Sequence, residues 1–345
     1  MHDPTTAIHL YVGIDIAAET FTAAWLGPKG KPTAPFTRAQ TPAGYLALQQ
    51  QLRATAVPPA ATAVVLEATG SYWVALAVTL HEAGYHVSVI NPLQAHHFAK
   101  AQLRRAKTDA LDAQDLAQLA ATLRPPRWTP PPPVYHEVRQ RLVARDGLLT
   151  MRQQARDQRH ALLQWPVVVA AVRQQLDEVI ADLDARIATL EVEIAAVLKE
   201  SVWAATLARL TSAPGIGIVT ASWLLVATLN FTLCTGPAAP AAYAGLAPMP
   251  RESGRSIRGR PRIGHAGNGR LRAAFYMATL SAAQHNPAIK AFYDRPRLPG
   301  KPMKVARCAA ARQLLHLAWA LGTKQRPFDP RQQQQQTVVL ADQTP

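Results

Sequence analysis

Hydrophobic residues alternate at Ile8, Leu10, Val12, Ile14 and Ile16, which is the period of a strand with one buried face and sets Asp15 on the other. FTAAWLG follows, then the turn-rich PKGKP, then an extended run near PFTRAQT, predicting an antiparallel meander. A helix fits 42–53, with Thr41 as N-cap and Pro42 at its first position. The apolar run AVVLEA predicts a buried strand ending at Glu67, and 72–83 predicts a helix stopped by Gly84. A strand over HVSVIN, a helix from about Pro92 and another from about Thr108 complete this part. Three strands, helix, strand, helix, strand, helix is the order of an α/β, ribonuclease H-like domain, expected over 1–125.

Prolines crowd RPPRWTPPPP and predict a stiff spacer. The chain from 134 to 200 reads as helical, interrupted at Trp165 and Pro166. Its second half carries a seam of Leu176, Ile180, Leu183, Ile187, Leu190, Ile194 and Val197, spaced four and three, with acidic residues beside it. The favoured reading is a coiled coil that joins two copies; the alternative is a hairpin with the preceding helix. The linker and coiled-coil segment is expected over 126–204, a mainly α-helical domain over 205–328 and a tail over 329–345. From Gly322 onward, through a glutamine run, no apolar period remains and disorder is expected.

Charge changes the picture. The 345-residue chain has 37 Lys and Arg against 22 Asp and Glu, a formal charge of +15, and its arginines cluster in loops rather than opposite an apolar stripe. Nucleic acid is therefore a better partner than a membrane surface. Cys234 and Cys308 stand far apart without a CxxC pair, which speaks against a zinc site or a disulfide framework and for a reducing cytoplasm. No export signal or membrane span is read, and a soluble chain is expected.

Against that basic background, Asp15, Glu67, Asp109 and Asp112 are conspicuous. Asp109 and Asp112 are three apart in KTDALDAQDLA, so they share a helix face, with Thr108 as N-cap; Asp115 lies about 120° away at 3.6 residues per turn. Acids in a first turn also complement the helix dipole, and spacing alone does not separate the two readings. A carboxylate closing AVVL is costly unless paired or metal-bound. Carboxylates gathered in a polycation suit Mg²⁺ and phosphodiester chemistry.

Pro214, Gly215 and Gly217 form a tight turn before a helix, resembling a helix-hairpin-helix element that can hold a phosphate on Gly215 and Gly217. Downstream, Arg251, Arg255, Arg258, Arg260, Arg262, Arg270 and Arg272 crowd a glycine-rich loop suited to phosphate contact. Ser253 and Ser256 lie within it, and spacing alone leaves both as ordinary loop residues.

GIDIAAETF, LEATGSYW, INPLQAHHFAKAQLRRAKTDALDAQDLA, APGIG and AYAGLAPMPRESGRSIRGRPRIGHAGNGRLRAAFYMA resemble, in order, the blocks of the DEDD-type insertion-sequence transposases, family one hundred and ten, which includes the Piv-type DNA invertases. The resemblance covers nearly the whole chain. It implies a RuvC-like domain, a coiled-coil middle and a C-terminal transposase domain. It places the family's metal-binding acids, which hold two Mg²⁺ ions in members, on Asp15, Glu67, Asp109 and Asp112. The nucleophilic serine falls on Ser253. Where members read Ser-Ser-Gly-Gly this chain reads Glu252-Ser253-Gly254-Arg255, and the position before glycine selects Ser253 over Ser256. The implied activity is recombination of donor and target DNA guided by a structured bridge RNA, in a dimer or tetramer. Two rivals are a junction-resolving nuclease that uses water and a non-catalytic nucleic-acid-binding protein.

Overall fold

The computed structural model describes residues 7–27, 30–102, 108–253, 257–264, 267–294 and 302–330. The chain divides into two compact units, Met1–Pro130 and Pro131–Pro345.

The first unit is built on β1 (Leu10–Ile16), β2 (Thr20–Trp25), β3 (Phe36–Ala39), α1 (Pro42–Arg53), β4 (Thr62–Glu67), α2 (Trp73–Glu82), β5 (His86–Ile90), α3 (Pro92–Ala101) and α4 (Asp109–Leu123). The sheet order is β3-β2-β1-β4-β5, with β2 antiparallel to β1 and to β3, and β4 parallel to β1 and to β5. This is the meander followed by parallel crossovers that the hydrophobic pattern predicts. Thr41 caps α1 by accepting from Gly44 N–H, and Thr108 caps α4 by accepting from Leu111 N–H.

Strand alternation sorts the sheet into two faces. The even positions of β1, Val12 and Ile14, pack into one cluster with Leu48 and Leu52 of α1 and Leu76 and Leu80 of α2. On the other face Val65 and Ile90 pack with Leu116, Leu119 and Ala120 of α4. Gly13 makes that second layer possible. A Cβ on Gly13 would collide with Ala113 O and Ala117 N, so α4 lies with its backbone directly on β1.

The second unit contains α5 (Pro133–Leu162), α6 (Ala170–Lys199), α7 (Ala204–Thr211), α8 (Ile218–Thr228), α9 (Ala238–Tyr243), β6 (Pro248–Ser253), β7 (Ile257–Ile263), α10 (Gly269–His285), α11 (Pro287–Asp294) and α12 (Met303–Thr323). Val138 and Leu142 of α5 and Ile194 and Leu198 of α6 are buried in one core with Leu224, Phe275 and Leu314.

The heptad seam is covered within the chain, by the hairpin alternative. Ile180, Leu183, Ile187 and Ile194 are buried in a molecule that contains one copy, with α5 and α6 packed along each other. Four acids flanking the seam meet arginines of α5: Arg141 to Glu193 at 3.0 Å, Arg145 to Glu191 at 2.6 Å, Arg156 to Asp184 at 3.2 Å and Arg159 to Asp177 at 2.8 Å. Each exposed pair contributes about 0.2–1 kcal/mol, so their weight lies in fixing register along a hairpin roughly 45 Å long.

The arginine-rich segment, expected as a loop, forms the antiparallel hairpin β6–β7. Structure also continues past the expected onset of disorder at Gly322. A Cβ on Gly322 would strike the Phe231 ring, and Phe328 packs on the core while its N–H donates to Ser212 Oγ at 2.8 Å.

Gly13→Ala is expected to lift α4 from β1 and to destabilise the first unit by about 1–3 kcal/mol, as overpacking does. Urea unfolding followed by far-ultraviolet circular dichroism measures it.

Candidate active site

Asp15 follows Gly13 by two positions on the same face of β1, and Glu67 follows Val65 by two on the same face of β4. Leu66 lies beside Ile14 in the parallel register, so both carboxylates emerge at neighbouring strand ends. The register of α4 on Gly13 brings the start of that helix, with Asp109 and Asp112, to the same end of the sheet.

Asp15 records the result. Its carboxyl is pushed up to about 6, first by burial and then by the negative charges of Asp112, Asp109 and Glu67, against a smaller lowering by the Ile16 backbone N–H. Each predicted acid is therefore a charge neighbour of Asp15. Asp115, left out on helical phase, is not among these neighbours and is buried at 7% exposure. Glu67 accepts from the Thr69 hydroxyl at 3.0 Å.

The four acids form a charge cluster rather than a closed cage. Among the described residues, no three Asp, Glu, His or Cys side chains are already close enough to hold one ion. The donor set is nonetheless all carboxylate, the hard-oxygen chemistry that Mg²⁺ takes, and its excess charge is what a divalent cation would neutralise. His96 and His97 face each other at 5.9 Å between ring centroids and have no part in this cluster.

In the second unit Ser253 is the last residue of β6, opposite Ile257 of β7. Gly254, Arg255 and Ser256, named from the sequence, lie outside the described residues. Arg251 pairs across the ladder with Gly259, Glu252 with Arg258 and Met249 with Arg262, while Arg260 lies between the last two β7 positions.

The other two arginines are engaged by the protein. Arg270 reaches Asp146 at 3.7 Å and lies over the Trp223 ring at 5.3 Å. Burial pushes the Asp146 carboxyl up, and the Arg270 and Arg145 charges oppose it. Arg272 donates to Gly264 O at 3.2 Å and Ala244 O at 3.4 Å, tying the end of the β-hairpin to the turn after α9. Gly267, at φ 97°, completes that junction: a Cβ there would lie 2.5 Å from Tyr243 O. Arg272 and Gly267 are thus hairpin-positioning residues that the sequence reading counted only as part of a basic, glycine-rich stretch.

Gly215 has a packing duty. At φ 98°, a Cβ on it would stand 2.5 Å from Ala282 Cβ of α10. Gly217 caps α8 with open space around it. Of the pair, Gly217 is the one at which a phosphate could approach the helix N-terminus.

A carboxyl raised in the folded state binds its proton more tightly than in the unfolded chain. Its contribution therefore favours folding at low pH and is lost as pH rises from the ordinary carboxyl value of 3.8 to about 6. The full linkage is about 3 kcal/mol, which solvent screening at a half-buried group reduces to roughly 1–2 kcal/mol. Metal-free Asp15→Asn is accordingly expected to melt above the wild type at pH 7.5 and level with it near pH 4. Calorimetry at the two pH values measures it.

Comparison with known proteins agrees with this layout. Residues 12–165 match a DEDD-type IS110 transposase family, and residues 207–294 match the family described as Transposase IS116/IS110/IS902. Pilin gene-inverting proteins of Moraxella bovis and Moraxella lacunata are each 32% identical over 325 residues, covering 93% of this chain and 98% of theirs. An insertion element IS110 protein of Streptomyces coelicolor is 39% identical over 114 residues, 32% of this chain and 27% of its own. No helix of the described residues is long and apolar enough to cross a membrane. The chain belongs to the IS110 family of DEDD transposases and is a DNA recombinase of that family.

Proposed function

We propose that this recombinase cuts and rejoins DNA through a covalent serine intermediate, with Ser253 as nucleophile and Asp15, Glu67, Asp109 and Asp112 as ligands of Mg²⁺. The observation that carries the reading is the charge cluster around Asp15, to which every one of the four acids contributes. Bound there, Mg²⁺ supplies Lewis-acid polarisation of a phosphate oxygen.

Ser253 Oγ attacks phosphorus and loses its proton to solvent. The new Oγ–P bond forms as the bond to the 3′ oxygen breaks, and that oxygen leaves with a proton as a free hydroxyl. The phosphoserine link conserves the bond for rejoining. Arginines 251, 255, 258, 260 and 262 flank the serine in sequence and suit the charge that develops on phosphorus.

Sequence choice is assigned to a structured bridge RNA that pairs with target and donor DNA, with the protein holding backbones. A charge of +15 alongside only 6% aromatic residues supports that division, because backbone contact asks for cations and unpaired-base reading asks for aromatic platforms. The reaction is assigned to the bacterial cytoplasm, where chromosome and transcript meet.

Self-association is retained in this reading, but its surface moves. The seam is already covered by α5, whereas the turn between α5 and α6 exposes Trp165 at 69% and Val167 at 79%. Copies would pair through that apolar turn, and Trp165→Glu with Val167→Glu is expected to reduce the assembly to monomers in sedimentation velocity. Unchanged sedimentation of a folded double variant would place the contact elsewhere.

Ser253→Ala is expected to abolish strand exchange and to remove the protein–DNA adduct seen on denaturing gels of a trapped reaction. Full activity in that variant would transfer the role to Ser256. Cleavage by the wild type with no adduct would favour water as nucleophile, as in a junction-resolving nuclease.

A further inference from the structure

α4 ends in opposite charges. Asp109 and Asp112 lie in its first turn, while Arg124 caps its last turn and Arg127 follows shortly after. At 1.5 Å per residue, the twelve residues from Asp112 to Arg124 span about 18 Å. The arginine end is therefore a separate place on the same sheet face, at the starting ends of β1, β4 and β5.

A cavity of about 300 Å³ opens there. Tyr11, Ala63 and Val65 line its apolar wall, and His86, Arg124 and Arg127 line its polar side. Neither arginine forms an ion pair among the described residues, and both are exposed. Guanidiniums left without an internal carboxylate beside a half-apolar hollow are a receptor for an external anion.

The segment that carries them is held in place. Arg124 adopts the left-handed conformation, φ 45° and ψ 61°, at a helix cap where glycine or asparagine is usual. That conformation costs a residue with a Cβ about 1–2 kcal/mol. Beyond it, the Ser88 hydroxyl donates to Pro125 O at 3.0 Å and the Trp128 N–H donates to Val87 O at 2.7 Å. The Trp128 ring also meets Trp73 edge-on at 5.5 Å. Arg127 is thus bracketed by two anchors to β5, which limits the ordering cost of binding.

We propose that this pocket binds a single nucleotide, with its phosphate on Arg124 and Arg127 and its base against Tyr11, Ala63 and Val65. The volume sits at the lower end of small-ligand sites, which accommodates one nucleotide and excludes a duplex. The nucleotide can belong to a polynucleotide strand or be free in solution. The proposal does not depend on the serine chemistry, because the pocket and Ser253 lie in different units.

The test uses the full chain without divalent ions, so that the acidic cluster contributes no metal-bridged contact. A labelled single-stranded oligonucleotide is titrated by fluorescence anisotropy across a salt series, and AMP and inorganic phosphate are compared by thermal shift. Arg124→Glu with Arg127→Glu is expected to weaken oligonucleotide binding and lower the slope of log affinity against log salt by roughly one. Arg124→Lys with Arg127→Lys is expected to keep most of that slope. A loss of the AMP-induced thermal shift with an unchanged oligonucleotide slope supports the site with a free mononucleotide as its occupant. Should the double glutamate variant fail to fold, Arg127→Glu alone is read in the same way. Unchanged responses to both oligonucleotide and AMP in a folded variant overturn the proposal. So does a shift by inorganic phosphate equal to that by AMP, since the apolar wall would then contribute nothing.

Discussion

The contact of α4 with Gly13 is the constraint on which the first unit depends. A helix lying with its backbone on a strand needs a position without a side chain, and Gly13 is that position. Once the helix is seated there, the periods of the two elements settle the rest. Two residues along β1 place Asp15 beyond the contact, and one turn back along α4 from Ala113 places Asp109 and Asp112 beside it. The carboxylate cluster is a consequence of this packing register.

Such a cluster works against the fold that holds it, as the raised Asp15 carboxyl shows. Two features of α4 offset part of the cost. Its N-terminus carries partial positive charge, which stabilises Asp109 and Asp112 by about 0.3–1 kcal/mol each, and Thr108 caps the first turn. Asp177, Asp184, Glu191 and Glu193 of α6 face no such conflict. The Arg152 guanidinium holds the Asp184 carboxyl below its usual range, and Asp177, Glu191 and Glu193 meet arginines of α5 along the same seam. The arginine-paired carboxylates of α6 thus contrast with the mutually repelling carboxylates around Asp15.

Most of the first unit was legible because strand alternation and helix caps are local signals: Thr41, Thr108 and the even positions of β1 behave as their spacing implies. The acidic residues were legible for the same reason, being set by strand parity and helical phase. The seam was legible as a seam, yet a heptad pattern does not say which helix covers it. The deciding signal lay in α5, where arginines 141, 145, 152, 156 and 159 match the acids of α6. The β6–β7 hairpin was missed because Pro248, Pro250 and Pro261 argue against strands. In a two-stranded ribbon both strands are edges, so a proline can be accommodated without interrupting a central ladder. The arginines at every second position, 258, 260 and 262, were the overlooked period-two signal.

The hairpin's base explains how a ribbon so poor in apolar residues is held in place. A two-stranded ribbon is marginal by itself in water. Here its end is tied by the Arg272 bonds to Gly264 and Ala244 carbonyls and by the Asn268 N–H donating to Tyr243 O at 2.6 Å. Asn268 then accepts from Leu271 N–H and starts α10, whose Phe275 is buried in the unit's main core. Rigidity is thus carried from a helical core through a cap and a guanidinium into the ribbon. Arg270 and Arg272, from the same basic stretch, thus serve the scaffold.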